Sequence, residues 1–321
     1  MSSTQVAITI GNFDGVHAGH RALVRRAREL VGPEGRVVAV TFHPHPITRL
    51  RPDTRVELLT TIEQRTELLR AAGADEVDRL EPTPELLGRS PGEFLAWISE
   101  RHGRGWIVEG PDFRFGKGRA GDLATLRDLA PRHGLEPSVV EPVSVALRDQ
   151  SIVRASSTTA RWLIANGRVR DAALVLGRPY TIAGRVVRGD RLGRTIGFPT
   201  ANIATGNRPP GDGVYAGIAR LPDGRRLAAA VNSGTRPTVE GAAHRLEAHL
   251  LNASPGEAFA PIAGLDEYGW PIELELIAWV RDQVRFAGVD MLREQLTRDI
   301  ERVADLMGDH LDIDAMETGA A

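Results

Sequence analysis

The 321-residue sequence contains no cysteine, which excludes disulfide bonds, thiolate zinc sites and cysteine nucleophiles. Net charge is nearly absent: 40 Lys and Arg stand against 42 Asp and Glu, so the broad basic surface of a general nucleic-acid-binding protein is missing. No apolar run reaches the roughly 18 residues of a membrane-spanning helix. The N-terminal segment MSSTQVAITI lacks the basic and apolar parts of a secretory signal. We therefore expect a cytoplasmic protein that binds neither nucleic acid nor membranes.

The first half of the chain alternates between strand-like and helix-like segments. In order, these are strand 6–10, helix 22–31, strand 36–42, helix 61–72, strand 106–109 and helix 123–130. Thr61 with Gln64, and Ser90 with Glu93, predict capping boxes at two helix starts. Nearly continuous apolar strands between helices are typical of a parallel sheet covered on both faces. We expect an α/β domain of this kind over residues 1–177.

The pattern changes after about residue 178, where short segments that alternate apolar and polar residues are separated by Gly, Pro, Asp and Asn turns. The predicted strands are 181–187, 213–220, 226–231, 245–251 and 272–280. Regularly spaced strands without intervening helices predict an antiparallel β-barrel or sandwich. A terminal helix at 289–307 is predicted to close this domain, which spans 178–307. Residues 308–321 are predicted to form a frayed C-terminal tail.

A glycine-containing loop follows the first predicted strand and leads straight into a helix. The loop GNFDG occupies residues 11–15, and His17 and His20 follow it. The glycines let backbone N–H groups approach a phosphate, and the helix N-terminus adds a partial positive charge. The spacing puts both imidazoles on one face of the first helical turn, where they can stabilise charge that develops during phosphoryl displacement. The pattern indicates a nucleotide site at the carboxyl edge of the sheet.

Other interpretations of this histidine pair stay open on the residues alone. Histidines at this spacing also occur as capping or core side chains. A zinc site is less favoured, because no cysteine is available and the remaining ligands would have to come from elsewhere in the chain. The strand–loop–helix context favours the nucleotide site over both.

Two later segments fit the same site. Asp112 follows the strand 106–109, again at a carboxyl end. Ser157, Thr158 and Arg161 put hydroxyl groups and a fixed cation at another helix start, and such groups are natural ligands of a polyphosphate. The hydroxyl groups are equally expected in a plain N-terminal cap.

A glycine-rich stretch in the second half ends in a polar pair. The segment GRTIGFPTAN begins at Gly193 and includes Thr195 and Gly197. Thr200 and Asn202 are two residues apart, so in an extended segment their side chains point the same way. Hydroxyl and amide oxygens are hard ligands that suit Mg²⁺. On spacing alone, a turn followed by a strand start is the better explanation of these residues.

A single glutamate stands out on a predicted strand near the end of the chain. Glu247 alternates with apolar residues at 246, 248 and 250, so it faces away from them. A carboxylate in this position can accept the proton of a substrate hydroxyl that attacks the γ-phosphorus of ATP. A solvent-facing glutamate on a half-exposed strand is the alternative that spacing alone favours.

The motifs GNFDGVHAGH, TFHPHP, EGPDFRFG and SSTTAR resemble, in this order, the adenylyltransferase module of the bacterial bifunctional riboflavin kinase/FAD synthetase family. The segment GRTIGFPTAN resembles the GRxxGFPTAN signature of riboflavin kinases, and GVYA, NSGTRPT and LEAHL follow in the family's order. The chain departs from the family pattern at Asn252 and in a long loop at 254–268. The resemblance implies an FMN adenylyltransferase domain at 1–177 and a riboflavin kinase domain at 178–307.

The resemblance also implies two ATP-dependent reactions. The C-terminal domain would phosphorylate riboflavin to FMN, and the N-terminal domain would transfer AMP from a second ATP to FMN, giving FAD and pyrophosphate. Mg²⁺ would bridge phosphates in both sites. The implied ligands are therefore riboflavin, FMN, FAD and ATP, with Mg²⁺ as the metal.

Specific residues take the family's roles. In the N-terminal site these are His17 and His20 for the ATP phosphates, Gly11, Phe13, Asp14 and Gly15 for the adenine and phosphate loop, and Ser157, Thr158 and Arg161 for the polyphosphate. In the C-terminal site the resemblance implies Glu247 as the catalytic base and Gly193, Thr195 and Gly197 as residues that bind the cofactor. Thr200 and Asn202 then hold Mg²⁺ and the terminal phosphates.

Three rival hypotheses stay open. The first is that one half of the chain has lost its activity. The second is that the chain binds flavin without catalysis. The third is that the N-terminal half adenylylates a different phosphorylated substrate. The presence of His17, His20 and Glu247 argues against the second. The kinase-like half in the same chain argues against the third, and separate assays of the two conversions test the first.

Overall fold

The computed structural model describes residues 5–51, 53–54, 56–189, 191–238, 241–251, 262 and 264–317. Asn252 and most of the loop at 254–268, where the sequence departs from the family pattern, lie outside these residues. Within the described part of the chain, no helix combines the length and the hydropathy needed to cross a membrane.

The chain folds into two compact units. The first contains Met1–Ala146 and Ile152–Ser157, and the second contains Leu147–Ser151 and Thr158–Ala321. The predicted boundary after residue 177 is later, so it assigns two helices between 157 and 176 to the first domain. In the structure these helices group with the second unit, because the helix at Val169–Leu176 packs against two strands there. As the limit between functional domains, residue 177 stays a prediction.

The first unit is built on a five-stranded parallel sheet, as predicted. Its elements are β1 (Val6–Gly11), α1 (Ala18–Val31), β2 (Arg36–Phe42), α2 (Pro46–Leu50), α3 (Ile62–Ala71), β3 (Glu76–Leu80), α4 (Pro84–Gly88), α5 (Pro91–His102), β4 (Gly105–Glu109), α6 (Leu123–Leu129), β5 (Leu135–Val139), β6 (Ser144–Ala146) and β7 (Ile152–Arg154). The strand order in the sheet is β3-β2-β1-β4-β5. Strands β6 and β7 form a separate antiparallel pair.

Both faces of the sheet are covered. Ile8 and Val38 belong to a core cluster that includes side chains of α5, whereas Ala7 and Val37 belong to a second cluster with side chains of α1. Neighbouring residues of one strand thus enter opposite cores. This double burial explains why β1 and β2 are almost entirely apolar.

Both predicted capping boxes are present. Thr61 and Gln64 begin α3, and Ser90 and Glu93 begin α5, each pair with reciprocal side-chain and backbone hydrogen bonds. Helix α1 begins at Ala18, earlier than predicted. The prediction started at the first periodic apolar residue, whereas the helix starts where a side chain caps it.

The second unit contains a closed antiparallel barrel, which selects the barrel over the sandwich. Its elements are α7 (Ser157–Ala165, whose first residue belongs to the first unit), α8 (Val169–Leu176), β8 (Tyr180–Val187), α9 (Leu192–Thr195), β9 (Ala201–Thr205), β10 (Gly213–Arg220), β11 (Arg226–Thr238), β12 (Gly241–Leu250), β13 (Pro271–Arg281) and α10 (Val289–Glu317). The strand order is β10-β11-β12-β9-β8-β13, and β13 pairs back onto β10.

The terminal helix α10 packs on the barrel through Val303 and Met307, which join Ala216 and Ala278 in one core cluster. The predicted frayed tail is wrong for residues 308–317, since α10 continues through them. The prediction ended the helix just before Gly308, although Leu311 and Ala315 continue its apolar spacing. A glycine at 308 lowers helix stability by only about 1 kcal/mol, and no proline follows to stop the helix.

Candidate active sites

The predicted histidines of the first unit begin helix α1. His17 is the N-cap residue, and its Nδ1 accepts the N–H of Gly19 at 3.2 Å. In the neutral ring this acceptor role leaves the proton on Nε2. The ring of His20 stacks on that of His17, with centroids 3.6 Å apart and an interplanar angle of 26°. The two imidazoles therefore share one face of the helix, as the spacing predicts.

The ring of His20 has an unusual electrostatic setting. Burial, followed by the nearby His17 and Arg65, holds the pKa of His20 well below its usual value. Its Nδ1 is buried and has no hydrogen-bond partner among the described residues. The ring of Phe13 lies edge-on to it at a centroid distance of 5.1 Å. His20 is thus a neutral side chain at neutral pH with an unused ring nitrogen.

A buried carboxylate, that of Asp14, holds the glycine loop in place. Asp14 accepts the N–H groups of Leu59 at 2.9 Å and Thr60 at 3.1 Å. The Thr60 hydroxyl donates to Asp14 at 3.1 Å and accepts the N–H of Gly15 at 3.1 Å. Arg65 is 1% exposed and lies 3.6 Å from the Asp14 carboxylate. Asp14, predicted to bind ligand, here faces the protein interior and fixes the loop conformation.

The other residues predicted for this site differ in environment. The Ser157 hydroxyl donates to the Asp14 carbonyl at 2.7 Å, so it holds the loop in this structure. Asp112 is exposed and forms a surface ion pair. Thr158 and Arg161 follow on α7 and belong to the second unit. Their part in adenylyl transfer stays a prediction.

His45 is not among the residues predicted from the sequence. Its Nδ1 caps α2 by accepting the N–H of Ile47 at 3.2 Å, and its Nε2 lies 3.0 Å from the Nδ2 of Asn12 in the glycine loop. The motif TFHPHP could have pointed to His45, because it begins in the last two residues of β2 and continues past the same sheet edge. His45 therefore ties the segment after β2 to the loop after β1.

The second unit contains a cavity of about 290 Å³. Four of the residues predicted for the kinase site line it: Gly193, Thr200, Asn202 and Glu247. Two others, Thr195 and Gly197, belong to the same glycine-rich segment but are not among its lining residues. The segment GRTIGFPTAN and the strand of Glu247 thus meet at one site.

Three polar side chains form a row across neighbouring strands of the barrel. Glu247 on β12 pairs directly with Asn232 on β11 and with Asn202 on β9. Directly opposed residues have Cβ atoms about 4.5–5.5 Å apart, and all three line the cavity. We call these three residues the polar row. It presents one carboxylate between two amides.

The alternation of β12 determines which side chains reach the cavity. Arg245, Glu247 and His249 line it, whereas Leu246 and Ala248 are buried in the barrel. Glu247 thus faces away from its apolar neighbours, as predicted. It is not the freely solvated glutamate of the alternative interpretation.

Two glycines lie close to the side chains of Thr200 and Asn202. A Cβ at Gly193 would lie 2.3 Å from the carbonyl oxygen of Phe198 and 3.4 Å from Oγ1 of Thr200. A Cβ at Gly189 would lie 2.1 Å from Nδ2 of Asn202. A larger residue at Gly193 would push the backbone at Phe198 away, whereas one at Gly189 would displace the side chain of Asn202. The side chains of Thr200 and Asn202 are therefore held against glycine backbone.

His249 supports the same segment from the neighbouring strand. Its Nδ1 donates to the carbonyl oxygen of Pro199 at 2.7 Å. Burial lowers the pKa of His249, against the opposing effect of this hydrogen bond. A neutral imidazole thus fixes the backbone directly before Thr200.

Further lining residues were not predicted from the sequence. Gln283 donates from Nε2 to Oδ1 of Asn232 and to the carbonyl of Ser233, both at 3.0 Å. Arg281 and Asp299 form an ion pair at 2.6 Å that joins the end of β13 to α10. The apolar lining consists of Ile196, Phe198, Val284, Phe286, Leu292, Leu296 and Ile300, among others. A polar row and an apolar lining in one cavity suit a ligand with a flat apolar ring and a polar chain.

Comparisons with known proteins match the two halves of the chain to two different family models. Residues 1–156 match the family model described as FAD synthetase, and residues 176–307 match the model described as riboflavin kinase. The bifunctional riboflavin kinase/FMN adenylyltransferase of Escherichia coli is 36% identical over 303 residues, which cover 91% of this chain and 90% of that protein. The protein of the same name from Haemophilus influenzae is 33% identical over 299 residues and 92% of each chain.

A solved structure supports the fold over almost the whole length. It is described as a macrolide-efflux protein from Streptococcus pneumoniae, and it matches with a TM-score of 0.77 and 27% sequence identity over 94% of each chain. The predicted pairing of an N-terminal adenylyltransferase with a C-terminal kinase is confirmed by the order of the two family models. With curated relatives aligned over 91% of its length, the chain belongs to the bifunctional riboflavin kinase/FMN adenylyltransferase family.

Proposed function

We propose that the second unit phosphorylates riboflavin with Glu247 as the general base, and that Thr200 and Asn202 hold Mg²⁺ and the ATP phosphates. The observation that carries this proposal is the polar row, which sets a carboxylate between two amides in one cavity. Family membership supplies the two reactions. The residue roles and the metal are what we add.

In the kinase reaction, Glu247 accepts the proton of the riboflavin 5′-hydroxyl as its oxygen bonds to the γ-phosphorus of ATP. The bond from that phosphorus to the bridging oxygen breaks, and ADP leaves. Asn232 and Asn202 flank the carboxylate on the adjacent strands. Gln283 holds Asn232 by a hydrogen bond at 3.0 Å, which limits the positions open to the base.

The donor set around Thr200 fits Mg²⁺. Thr200 and Asn202 offer one hydroxyl and one amide oxygen, which are ligands that this ion accepts, and two protein donors leave its other positions to phosphate oxygens and water. Bound Mg²⁺ supplies charge neutralisation at the transferred phosphoryl group. Asn202 is fixed by its close packing on Gly189, and Thr200 by the bond from His249 to Pro199.

In the first unit, His17 and His20 bind the phosphates of a second ATP at the start of α1. An oxygen of the FMN phosphate attacks the α-phosphorus, the bond to the β-phosphate oxygen breaks, and pyrophosphate leaves. An ionised phosphate needs no general base, so the site's task is to position and stabilise charge. In the neutral ring of His17 the Nε2–H is a donor that suits a phosphate oxygen.

Chromatography of flavins after incubation of the purified protein with riboflavin, ATP and Mg²⁺ tests the proposal. We expect FMN to form first and then to give way to FAD. Supplying FMN directly tests the second step without the first. Omitting Mg²⁺ is expected to stop both conversions.

Two outcomes would contradict the proposal. FMN that accumulates without FAD, even when FMN is supplied, would assign the first unit to a different acceptor. Folded protein that converts no flavin at all would refute both site assignments.

A further inference from the structure

Strands β1 and β4 lie side by side, but their pairing stops early. Their ladder runs from Val6 opposite Gly105 to Ile8 opposite Ile107. Both strands continue beyond this point and stay paired on their other sides. Strand β1 pairs with β2 as far as Gly11, and β4 pairs with β5 as far as Glu109. The sheet is therefore open between its two central strands at its carboxyl edge.

The side chain of Glu109 occupies this opening. Its Oε1 accepts the N–H of Ile10 at 2.7 Å, a buried hydrogen bond between residues 99 positions apart. Its backbone carbonyl accepts the N–H of Val140 at 2.9 Å on the other side. The carboxyl group thus replaces the strand carbonyl that would otherwise accept the Ile10 N–H.

Glu109 is a buried acid that the proposed reactions do not use. It is 2% exposed, and burial raises its pKa well above the usual value, against the smaller effect of the Ile10 hydrogen bond. A protonated carboxyl group still accepts through its carbonyl oxygen. It can therefore hold a backbone amide without placing a full charge in the core.

The residue that Glu109 holds leads directly into the nucleotide loop. Gly11 follows Ile10, and a Cβ at Gly11 would lie 3.3 Å from the ring of Phe13. The ring of Phe13 in turn contacts that of His20. Gly11 thus lies beside Phe13, and Phe13 lies beside His20, so a shift of the Ile10 amide can reach the histidine pair through these neighbours.

We propose that Glu109 is a positioning residue for adenylyl transfer: its carboxyl group fixes the end of β1, and through it the loop and His20, across the opening between β1 and β4. This inference rests on the proposed function of the first unit. A buried N–H that loses its acceptor drives the local backbone to rearrange. The loop begins at Gly11, directly after Ile10, so a displaced Ile10 amide would move its first residue.

The test compares Glu109→Gln with Glu109→Met in the full-length enzyme, with FMN and ATP supplied. Gln keeps the accepting oxygen, so its kinetics should stay within about twofold of the wild type. Met removes the acceptor at similar volume, and the KM for ATP in FAD formation should rise by about tenfold or more. Riboflavin phosphorylation by the same preparations should not change.

Thr9→Val is the matched control. Thr9 lies on β1, is fully buried, and its Oγ1 has no hydrogen-bond partner among the described residues. This substitution changes the same strand without removing an acceptor, so the KM for ATP should keep its wild-type value.

Several results would overturn the inference. A Glu109→Met enzyme with wild-type KM for ATP would do so, as would a folded Glu109→Gln enzyme as impaired as Glu109→Met. Loss of amide-exchange protection in β1 would show that Glu109→Met unfolds the first unit. In that case Glu109→Gln alone decides, because only an acceptor role predicts that this variant keeps the wild-type KM for ATP. A wild-type enzyme that forms no FAD would instead refute the proposed function itself.

Discussion

Glu247 stands directly opposite Asn202 across the antiparallel pair of β12 and β9. The proposed general base and a proposed metal ligand are therefore set by one cross-strand register. A slip of one residue in this pairing would turn one of the two side chains into the barrel core. The geometry of the proposed kinase site therefore follows from the strand pairing of the barrel.

Replacing Glu247 by Gln should abolish FMN formation and leave FAD formation from supplied FMN intact. The amide keeps the shape of the side chain but accepts no proton, and loss of a general base costs about 10²- to 10⁴-fold in rate. Flavin chromatography with riboflavin or FMN as the starting flavin measures the two steps separately. Glu301→Gln, on the exposed side of α10, is the control and should behave as the wild type. A Glu247→Gln enzyme with near-normal FMN formation would remove Glu247 from the role of base.

Gly193→Ala should inactivate the kinase, and Gly206→Ala should not. A Cβ at Gly193 would lie 2.3 Å from the carbonyl of Phe198, whereas a Cβ at Gly206 meets nothing within 4 Å. The first substitution must push apart the segment that carries Thr200. We expect the rate of riboflavin phosphorylation to fall by about 10²-fold or more, as is typical when a reacting group is misplaced by about 1 Å. Equal activity of the two variants would show that the segment tolerates the displacement.

Asp14→Asn should destabilise the first unit and impair FAD formation. The substitution removes the charge that faces Arg65, a pair in which both side chains are at most 2% exposed. Breaking a buried ion pair costs about 3–5 kcal/mol. Denaturant unfolding followed by amide exchange in the first unit measures the loss.

Glu29→Gln is the control for this prediction. Glu29 and Arg26 form a surface pair with 54% and 44% of their side chains exposed, and such pairs contribute about 0–1 kcal/mol. A loss of stability in Asp14→Asn no larger than that of Glu29→Gln would contradict a structural role for the buried pair.

The lowered pKa of His20 makes the stability of the first unit sensitive to acid. Burial, His17 and Arg65 keep the ring neutral in the folded protein, while the unfolded chain takes up a proton near pH 6.5. Above about pH 6.5 His20 is neutral in both states, so its protonation does not change the free energy of unfolding. As the pH falls from there towards the lowered pKa of the folded protein, the free energy of unfolding decreases by up to about 1.4 kcal/mol per pH unit. His20→Gln should lack this dependence.

Titration of the His20 ring by NMR in the unliganded enzyme checks the premise. We expect no protonation of this ring at its ordinary pKa. A ring that titrates at or above that value would show that burial does not control its charge.

Fold class and the main elements could be predicted because they depend on local patterns. The apolar run of β2 and the two capping boxes are read directly from adjacent residues, and both agree with the structure. The end of α10 was predicted too early, because Leu311 and Ala315 continue the four-residue apolar spacing of Val303 and Met307 beyond Gly308. The grouping of α8 with the barrel depends on packing between distant segments.

The candidate sites divide in the same way. Glu247, Thr200 and Asn202 were predicted from motifs, and the structure brings them to one cavity. Gln283 and Glu109 were not predicted, because each forms its hydrogen bond with a residue far away in the sequence. Gln283 bonds to Asn232, and Glu109 bonds to Ile10. The motif pointed to Asp14 as part of the loop, but only its hydrogen bonds to Leu59 and Thr60 show that its carboxylate points inward.

The closed barrel has a consequence for biosynthesis of the enzyme. All residues of the first unit precede residue 158, so it is available to fold while the ribosome is still making the barrel. The kinase cavity needs Asp299 and Ile300 from α10 as well as the early segment at Gly193, and it forms only after nearly the whole chain has emerged. The adenylyltransferase domain is therefore synthesised before the kinase domain, which is the reverse of the order in which riboflavin is converted.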